Sequence, residues 1–166
     1  MSKESTNGKK ATAAATATPG KFSSPFDMFS TDKSKESDGI VLNYSDVFWI
    51  KITRAGGANE HYKRILTEKL RPYRRAIQTE TIDEAASARL LREAVAEGVV
   101  QGWGTGVYPE GSGFIPGPRN EGPIGFSAEN VASVFERLPE LFNDVYEQAS
   151  KVSLFRTTEA EVDAGN

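Results

Sequence analysis

The sequence predicts a mainly α fold: a small helical domain that opens with a short N-terminal β-strand or hairpin and follows a disordered N-terminal tail. Three observations predict it. Apolar residues recur at intervals of three and four in stretches between residues 59 and 152, as on helices that bury one face. Residues 40–53 alternate with the period of a strand. The first 38 residues are rich in Ser, Thr, Ala, Lys and Gly, with too little apolar area to offset the entropy lost on ordering.

These patterns divide the 166-residue chain into three parts. Residues 1–38 are predicted to be a disordered low-complexity tail, and residues 39–156 a single mainly helical domain. A Gly/Pro-rich loop at residues 104–125, with seven glycines and four prolines, should interrupt that domain without regular structure. Residues 157–166 should be a frayed acidic tail.

One aromatic cluster interrupts the N-terminal tail around Pro25. It consists of Phe22, Phe26, Met28 and Phe29. Disordered segments usually lack aromatic residues. The cluster is therefore either a sticky patch in a disordered tail or a short docking motif that folds onto a partner or onto its own domain.

The strand signal lies in residues 40–53. Ile40, Leu42 and Tyr44 alternate, and residues 43–46 supply turn formers, so a hairpin is predicted. Phe48, Ile50 and Ile52 then share one face, with Trp49 on the other. Two strands alone are marginal in water, so they must lie on the helices. The Trp49 face must be covered by a helix or kept for a partner.

Capping residues mark the helices of the first half. Asn59 is a good N-cap, and Pro72 should kink or restart the helix that follows. Thr81 and Glu84 have capping-box spacing at the start of the next helix. The glycines on either side of Trp103 should end that helix, and Trp103 itself is expected in the core.

Two more helices are predicted after the loop. Phe126 and Val131 have the spacing of a hydrophobic staple around an N-cap at Ser127. Pro139 fits the first turn of the last helix. The apolar stripe of that helix is Leu141, Phe142, Val145, Ala149 and Val152.

The composition excludes several classes of protein. With no cysteine, the chain has no disulfide framework, thiol nucleophile or thiolate metal site. No apolar run approaches membrane-spanning length, and the N-terminus lacks a secretory apolar core, so a soluble cytoplasmic protein is expected. The lone His61 and the Glu93–Glu97 pair are read as surface residues, because catalysis and metal binding need converging partners. No catalytic residue, metal or cofactor is predicted.

Charge is segregated along the chain, although the formal net charge is only −3. Residues 61–75 carry six Lys or Arg against Glu68 alone, while residues 127–166 carry eight acids against three bases. Arginines interleaved with Tyr62 and Tyr73 are typical of some nucleic-acid surfaces. Both tyrosines also fall on the apolar stripe, and the chain is acidic overall, so a protein partner or an internal acidic partner is favoured over nucleic acid.

The Gly-Gly turn at residues 54–59 has two interpretations. Glycines before a helix N-terminus can aim amides at an anion, and Arg54 would add a positive charge. The alternative is a tight strand-to-helix turn that needs positive φ. The segment lacks the fuller phosphate-loop pattern, which favours the turn.

Two long segments resemble the tail assembly chaperones of long-tailed, siphovirus-like bacteriophages. The first is FWIKITRAGGANEHYKRILTEKLRPYRRAIQTETIDEAASARLLREAVAEGVVQGWG, and the second is FSAENVASVFERLPELFNDVYEQASKVSLFR. The order of parts is similar to that family: a strand, an ARAGGAN-like turn, a KPYRRAIQ-like helix, an acidic helix ending in GW, and then segments like FTPENA, LPDLF and EQA…LFR. The resemblance covers roughly Asp46 to Gly104 and Gly125 to Arg156. The long N-terminal tail and the Gly/Pro-rich loop depart from the family pattern.

The resemblance implies a non-enzymatic helper in the cytoplasm of the infected host. Members of the family bind the tape measure protein, keep its long apolar helices soluble, and help recruit tail tube protein. The expected partners are therefore the tape measure protein and the tail tube protein, with self-association as a further expectation and no membrane partner. The alternative is a minor structural tail protein retained in the virion.

The candidate partner-binding residues come from charge and periodicity, because no binding residue of the family could be carried over. They are Arg71, Arg74, Arg75, Leu141, Phe142, Val145 and Tyr146. The arginines would steer association. The apolar residues lie on a face wider than one packing seam needs, although core packing is the simpler role for Val145.

Overall fold

The computed structural model of the chain describes residues 24–156, and about 53% of the structure is helical. Within these residues, seven α-helices run in chain order: α1 (Pro25–Phe29), α2 (Lys33–Asp38), α3 (Glu60–Leu70), α4 (Arg74–Gln78), α5 (Glu84–Gly98), α6 (Ala128–Arg137) and α7 (Pro139–Ser150). Five strands accompany them: β1 (Ile40–Tyr44), β2 (Phe48–Ile52), β3 (Val100–Thr105), β4 (Phe114–Ile115) and β5 (Ile124–Gly125). Short 3₁₀ segments occupy Arg71–Tyr73 and Val152–Phe155.

The sheet is larger than the predicted hairpin. β1 and β2 do form that hairpin, with Tyr44 opposite Phe48 and positive φ at Ser45 and Asp46 in the turn. β3 then pairs antiparallel with the other edge of β2, which gives a three-stranded sheet in the order β1-β2-β3. β4 and β5 form a separate two-stranded sheet. The prediction of a helix-rich fold is therefore confirmed, and the prediction of a single hairpin is corrected to two small antiparallel sheets.

The largest error of the sequence-based prediction lies at Trp103. The glycines around it were expected to end a helix, but α5 already ends at Gly98 and residues 100–105 are β3. Trp103 is 1% exposed, as its expected core role requires. In a strand the two glycines point to the opposite face, where bare backbone leaves space for another ring.

Most of the predicted helix boundaries are confirmed by their caps. The Asn59 side chain accepts from the amide of Tyr62, and the Ser127 hydroxyl accepts from the amide of Asn130. Pro72 sits in a 3₁₀ turn that separates α3 from α4, and Pro139 begins α7. The Thr81–Glu84 capping box is wrong, because another residue holds that position.

The N-cap of α5 is Asp83. Its carboxylate accepts from the amide of Ala86 at 3.1 Å. The Thr81 hydroxyl is instead 2.8 Å from that of Thr79, in the turn after α4. Asp is as good an N-cap as Ser or Thr. Asp83 directly precedes the first residue of α5 and therefore caps the helix in place of Thr81.

One apolar core joins the helices to one face of the three-stranded sheet. α3 packs on α5, and α5 packs on α6. The buried members of this core come from β2, β3, β4, α3, α5, α6 and α7 and include Ile50, Ile52, Ile65, Val95, Trp103, Val131, Phe135 and Val145. A strand face that could not stand alone is thus covered by helices, as the sequence required.

The Gly/Pro-rich segment covers the other face of the sheet. It was predicted to have no regular structure, but it contains β4 and β5 and folds back along β3 through a bridge between Gly104 and Ser112. The Trp49 indole N–H donates to the carbonyl of Glu110 at 2.8 Å, and the ring meets Tyr108 edge-on with centroids 4.9 Å apart. Trp49 is therefore covered by this loop, neither by a helix nor by a partner.

The first residues that the structure describes differ from the predicted tail. Residues 1–23 lie outside the described residues, as does the predicted acidic tail at 157–166. Within 24–38, where disorder was expected, the chain forms α1 and α2. Of the aromatic cluster, Phe26 and Phe29 are described and exposed. In residues 24–156, no helix has the length and apolar character to cross a membrane.

Candidate partner-binding surfaces

The arginine surface, defined as Arg71, Arg74 and Arg75, lies just beyond the end of α3. Pro72 interrupts the helix there, and all three side chains are exposed. Among residues 24–156, none of the three forms an ion pair with another side chain. The exposed Ile77 follows on α4, at 39% exposure. The result is a concentrated positive charge beside an apolar side chain.

The neighbouring basic residue, Lys69, is already paired with acidic side chains. The Lys69 ammonium lies 3.0 Å from a Glu97 carboxylate oxygen and 3.8 Å from one of Glu93. This arrangement accounts for the paired carboxylates of α5: they hold a lysine from α3. Within the described chain, no group of three or more His, Asp or Glu side chains is placed to hold a metal ion.

The candidate residues of α7 lie at the edge of the core. Leu141, Phe142 and Tyr146 are half-buried and pack against it. The Phe142 ring stacks on Tyr146, with centroids 5.8 Å apart, and meets Phe135 at 5.4 Å. Val145 is 0% exposed, so its side chain belongs wholly to the core. The outer edges of the other three are available, and the structure describes no contact between them and the arginine surface.

Two tyrosine hydroxyls fix α7 to the rest of the fold. Tyr44 of β1 donates to the Asp144 carboxylate at 2.7 Å. Burial raises the pKa of Tyr44 well above its usual range, and the Asp144 charge raises it further. Burial likewise raises the pKa of Tyr62 to about 12, with the charge and hydrogen bond of Tyr146 adding to the effect. Both phenols therefore stay neutral and anchor the helix.

The Gly-Gly turn does bind an anion, and that anion belongs to the chain itself. The Glu36 carboxylate of α2 pairs with the Arg54 guanidinium and accepts from the Ala58 amide at 3.0 Å. Burial raises the pKa of the Glu36 carboxyl, but the hydrogen bonds from Arg54, Thr31 and Ala58 outweigh it and hold the pKa below its usual value. Glu36 is only 2% exposed. No ligand from outside is needed to account for the charge of Arg54.

Asn59 organises the same turn. Its side-chain oxygen caps α3, while its amide nitrogen lies 2.8 Å from the carbonyl oxygen of Arg54, 3.1 Å from that of Gly98 and 3.0 Å from the Thr53 hydroxyl. One side chain thus joins the end of β2, the start of α3 and the end of α5.

A shallow cleft of about 260 Å³ lies beside this turn. It is lined by residues of α2, the turn, the start of α3 and β3, among them Lys33, Glu60 and His61. The His61 ring nitrogen Nδ1 is 3.2 Å from the Arg64 guanidinium. His61 is exposed, as expected of a surface residue.

Sequence reasoning missed several exposed apolar residues. Leu138 at the junction of α6 and α7 is 53% exposed, and Phe114 on β4 is 57% exposed. It also missed Glu36, which lies in a segment without apolar periodicity. The one sequence signal of a helix in this segment was Asp32, whose side chain accepts from the amide of Ser34 as the N-cap of α2.

Comparison with known proteins gives a family match. The model of the family described as YdaY prophage protein matches residues 57–166, more than half of the chain, and so includes both the arginine surface and α7. Neither a curated protein nor a solved structure matches the chain. The family description indicates a phage-derived protein and does not mention tail assembly. The chain therefore belongs to the YdaY prophage protein family.

Proposed function

We propose that this phage-derived protein is a tail assembly chaperone that binds the tape measure protein in the host cytoplasm and performs no chemistry of its own. The family membership supports a phage role, and the resemblance in two long segments points to tail assembly. The observation that carries the proposal is the arginine surface, where three exposed cations have no acidic partner within residues 24–156.

The surroundings make that lack of partners informative. Two basic residues of α3 do have acidic partners: Lys63 pairs with Glu60, and Lys69 with two acids of α5. Three unpaired arginines beside the exposed Ile77 fit a partner helix with acidic residues along one edge and apolar residues along the next. A long, helical client offers such edges repeatedly.

The half-buried edge of α7 is the second contact that we propose. Phe142 and Tyr146 present stacked aromatic rings whose inner sides are already held by the core. Aromatic residues held in this way contribute contact area without much loss of side-chain entropy. We assign this edge to the tape measure protein or to a second copy of the chain, with tail tube protein as a later partner.

Coexpression with the tape measure protein of the same phage tests the proposal. The wild type should keep the tape measure protein in the soluble fraction, and the variant Arg71→Glu/Arg74→Glu/Arg75→Glu should lose most of that effect because it repels the acidic edge. The matched control is Arg119→Glu, an exposed arginine on the loop, which should act like the wild type. The proposal is contradicted if the tape measure protein stays soluble with the triple variant, or if it is insoluble with the wild type.

The alternative role, a minor structural tail protein, predicts a different fate for the chain. Mass spectrometry of purified virions separates the two roles. A chaperone leaves before the particle is complete and should be missing or present in trace amounts. Several stoichiometric copies per particle would favour the structural role.

A further inference from the structure

Residues 24–38, here called the strap, form a separate layer on the domain. The strap contains only α1 and α2, of five and six residues. Helices of this length do not persist on their own in water, because their few hydrogen bonds do not offset the cost of nucleation. The strap therefore keeps its shape only through its contacts with the domain.

On the inner face of the strap, the Glu36 side chain is buried against the domain. Glu36 is almost fully buried and places its carboxylate on the Arg54 guanidinium and the Ala58 amide. A buried carboxylate is tolerated only when it is paired and hydrogen-bonded. Both requirements are met by the turn that leads from β2 into α3.

Further contacts join the strap to the last described element, among them the Arg156 guanidinium over the Phe29 ring, 5.5 Å from its centroid. The Asp32 amide donates to the carbonyl of Phe155 at 2.8 Å, and the Lys35 ammonium donates to that of Arg156 at 3.1 Å. Phe155 is 0% exposed yet is not a member of the main core cluster. The strap thus spans the Arg54 turn and the 3₁₀ segment Val152–Phe155.

The two phenylalanines of α1 are largely exposed. In α1, Phe26 is 86% exposed and Phe29 is 65% exposed. At the other end, Gly39 has φ +83°, and a Cβ there would lie 2.6 Å from the carbonyl oxygen of Ile52. The chain changes direction at this glycine before it enters β1, which makes Gly39 the natural hinge.

We propose that the strap is a latch, held shut by the Glu36 carboxylate in the Arg54–Ala58 turn, that opens at Gly39 independently of the domain and uncovers Phe155. Opening is a local unfolding event, because it leaves the sheet and the α3–α5 packing intact. The latch does not depend on what the protein binds, so it holds or fails separately from the chaperone role.

Amide hydrogen exchange on the full chain tests the latch. In Glu36→Gln, the amides of residues 31–39 should exchange at least about tenfold faster than in the wild type, while the amides of β2 and β3 keep their protection. Arg54→Gln should have the same effect, because it removes the other half of the pair. The matched control is Asp38→Asn, an exposed acid on the same helix, which should leave both regions unchanged.

Two outcomes would overturn the proposal. If strap protection in Glu36→Gln and Arg54→Gln equals that of the wild type, the carboxylate does not hold the strap. If the strap and β2 lose protection together and to the same extent, the strap belongs to the cooperative unit of the domain and is no latch.

Discussion

The indole ring of Trp49 occupies the space where a side chain at Gly104 would stand. Gly104 lies directly opposite Trp49 in the β2–β3 register, and a Cβ built on it would be 2.4 Å from Cε2 and Cζ2 of the indole. The bare backbone of β3 therefore lets the ring lie against the sheet, with the Tyr108 loop over it. Trp103, between the two glycines, points to the helical side.

Substitution of Gly104 should be costly. Gly104→Ala should lower the free energy of unfolding by about 2–3 kcal/mol, since the indole must move or the strands must separate. Gly102→Ala is the matched control: its Cβ would meet Trp49 no closer than 4.0 Å, so the loss should stay below about 1 kcal/mol. Urea denaturation followed by tryptophan fluorescence measures both. Equal losses would contradict the account of Trp49.

The Asn59 side chain should stabilise the fold more as a hydrogen-bond donor than as the N-cap of α3. Asn59→Asp keeps a capping oxygen but loses the amide hydrogens and sets a carboxylate against the carbonyls of Arg54 and Gly98. We expect Asn59→Ala and Asn59→Asp each to lose about 2–3 kcal/mol of unfolding free energy. Asp83→Ala, which removes a cap alone, should lose about 1 kcal/mol. Near-normal stability of Asn59→Asp would refute the donor role.

The tyrosine anchors should make the fold sensitive to alkali. Burial and Tyr146 raise the pKa of Tyr62 to about 12 in the folded protein, against about 10 when unfolded. The folded state then holds the proton more tightly, so the stability from this group is complete below pH ~10 and is lost as the pH rises through about 12. Tyr62→Phe should flatten this decline in thermal melts between about pH 10 and pH 12. An unchanged slope would show that Tyr62 does not cause it.

Much of the helical architecture could be predicted from local chemistry. Asn59, Ser127 and Pro139 mark helix starts through interactions within one turn of chain, and Pro72 marks an interruption in the same way. β3 was missed for a physical reason. Glycines around Trp103 resemble a helix stop, and only the distant Trp49 ring explains why a strand needs them there.

In the candidate site, too, features set by local sequence could be predicted and features set by distant contacts could not. The exposure of Arg71, Arg74 and Arg75 follows from a local break in a basic helix, so the sequence could predict a charged surface. Glu36 could not be predicted in its place, because its partners lie in a turn that begins 18 residues later and nothing in its own segment signals burial. The covering of Trp49 by the Gly/Pro-rich loop is likewise a tertiary contact, 61 residues apart along the chain.

The central claim is that the protein acts by binding another polypeptide through the arginine surface. Titration of the purified chain with a soluble helical fragment of the tape measure protein, at low and at high salt, tests it most directly. The wild type should bind, and Arg71→Glu/Arg74→Glu/Arg75→Glu should bind about tenfold or more weakly at low salt, with the difference shrinking near 0.5 M salt as charges are screened. Arg119→Glu should match the wild type. No binding by the wild type, or equal binding by the triple variant at low salt, would contradict the account.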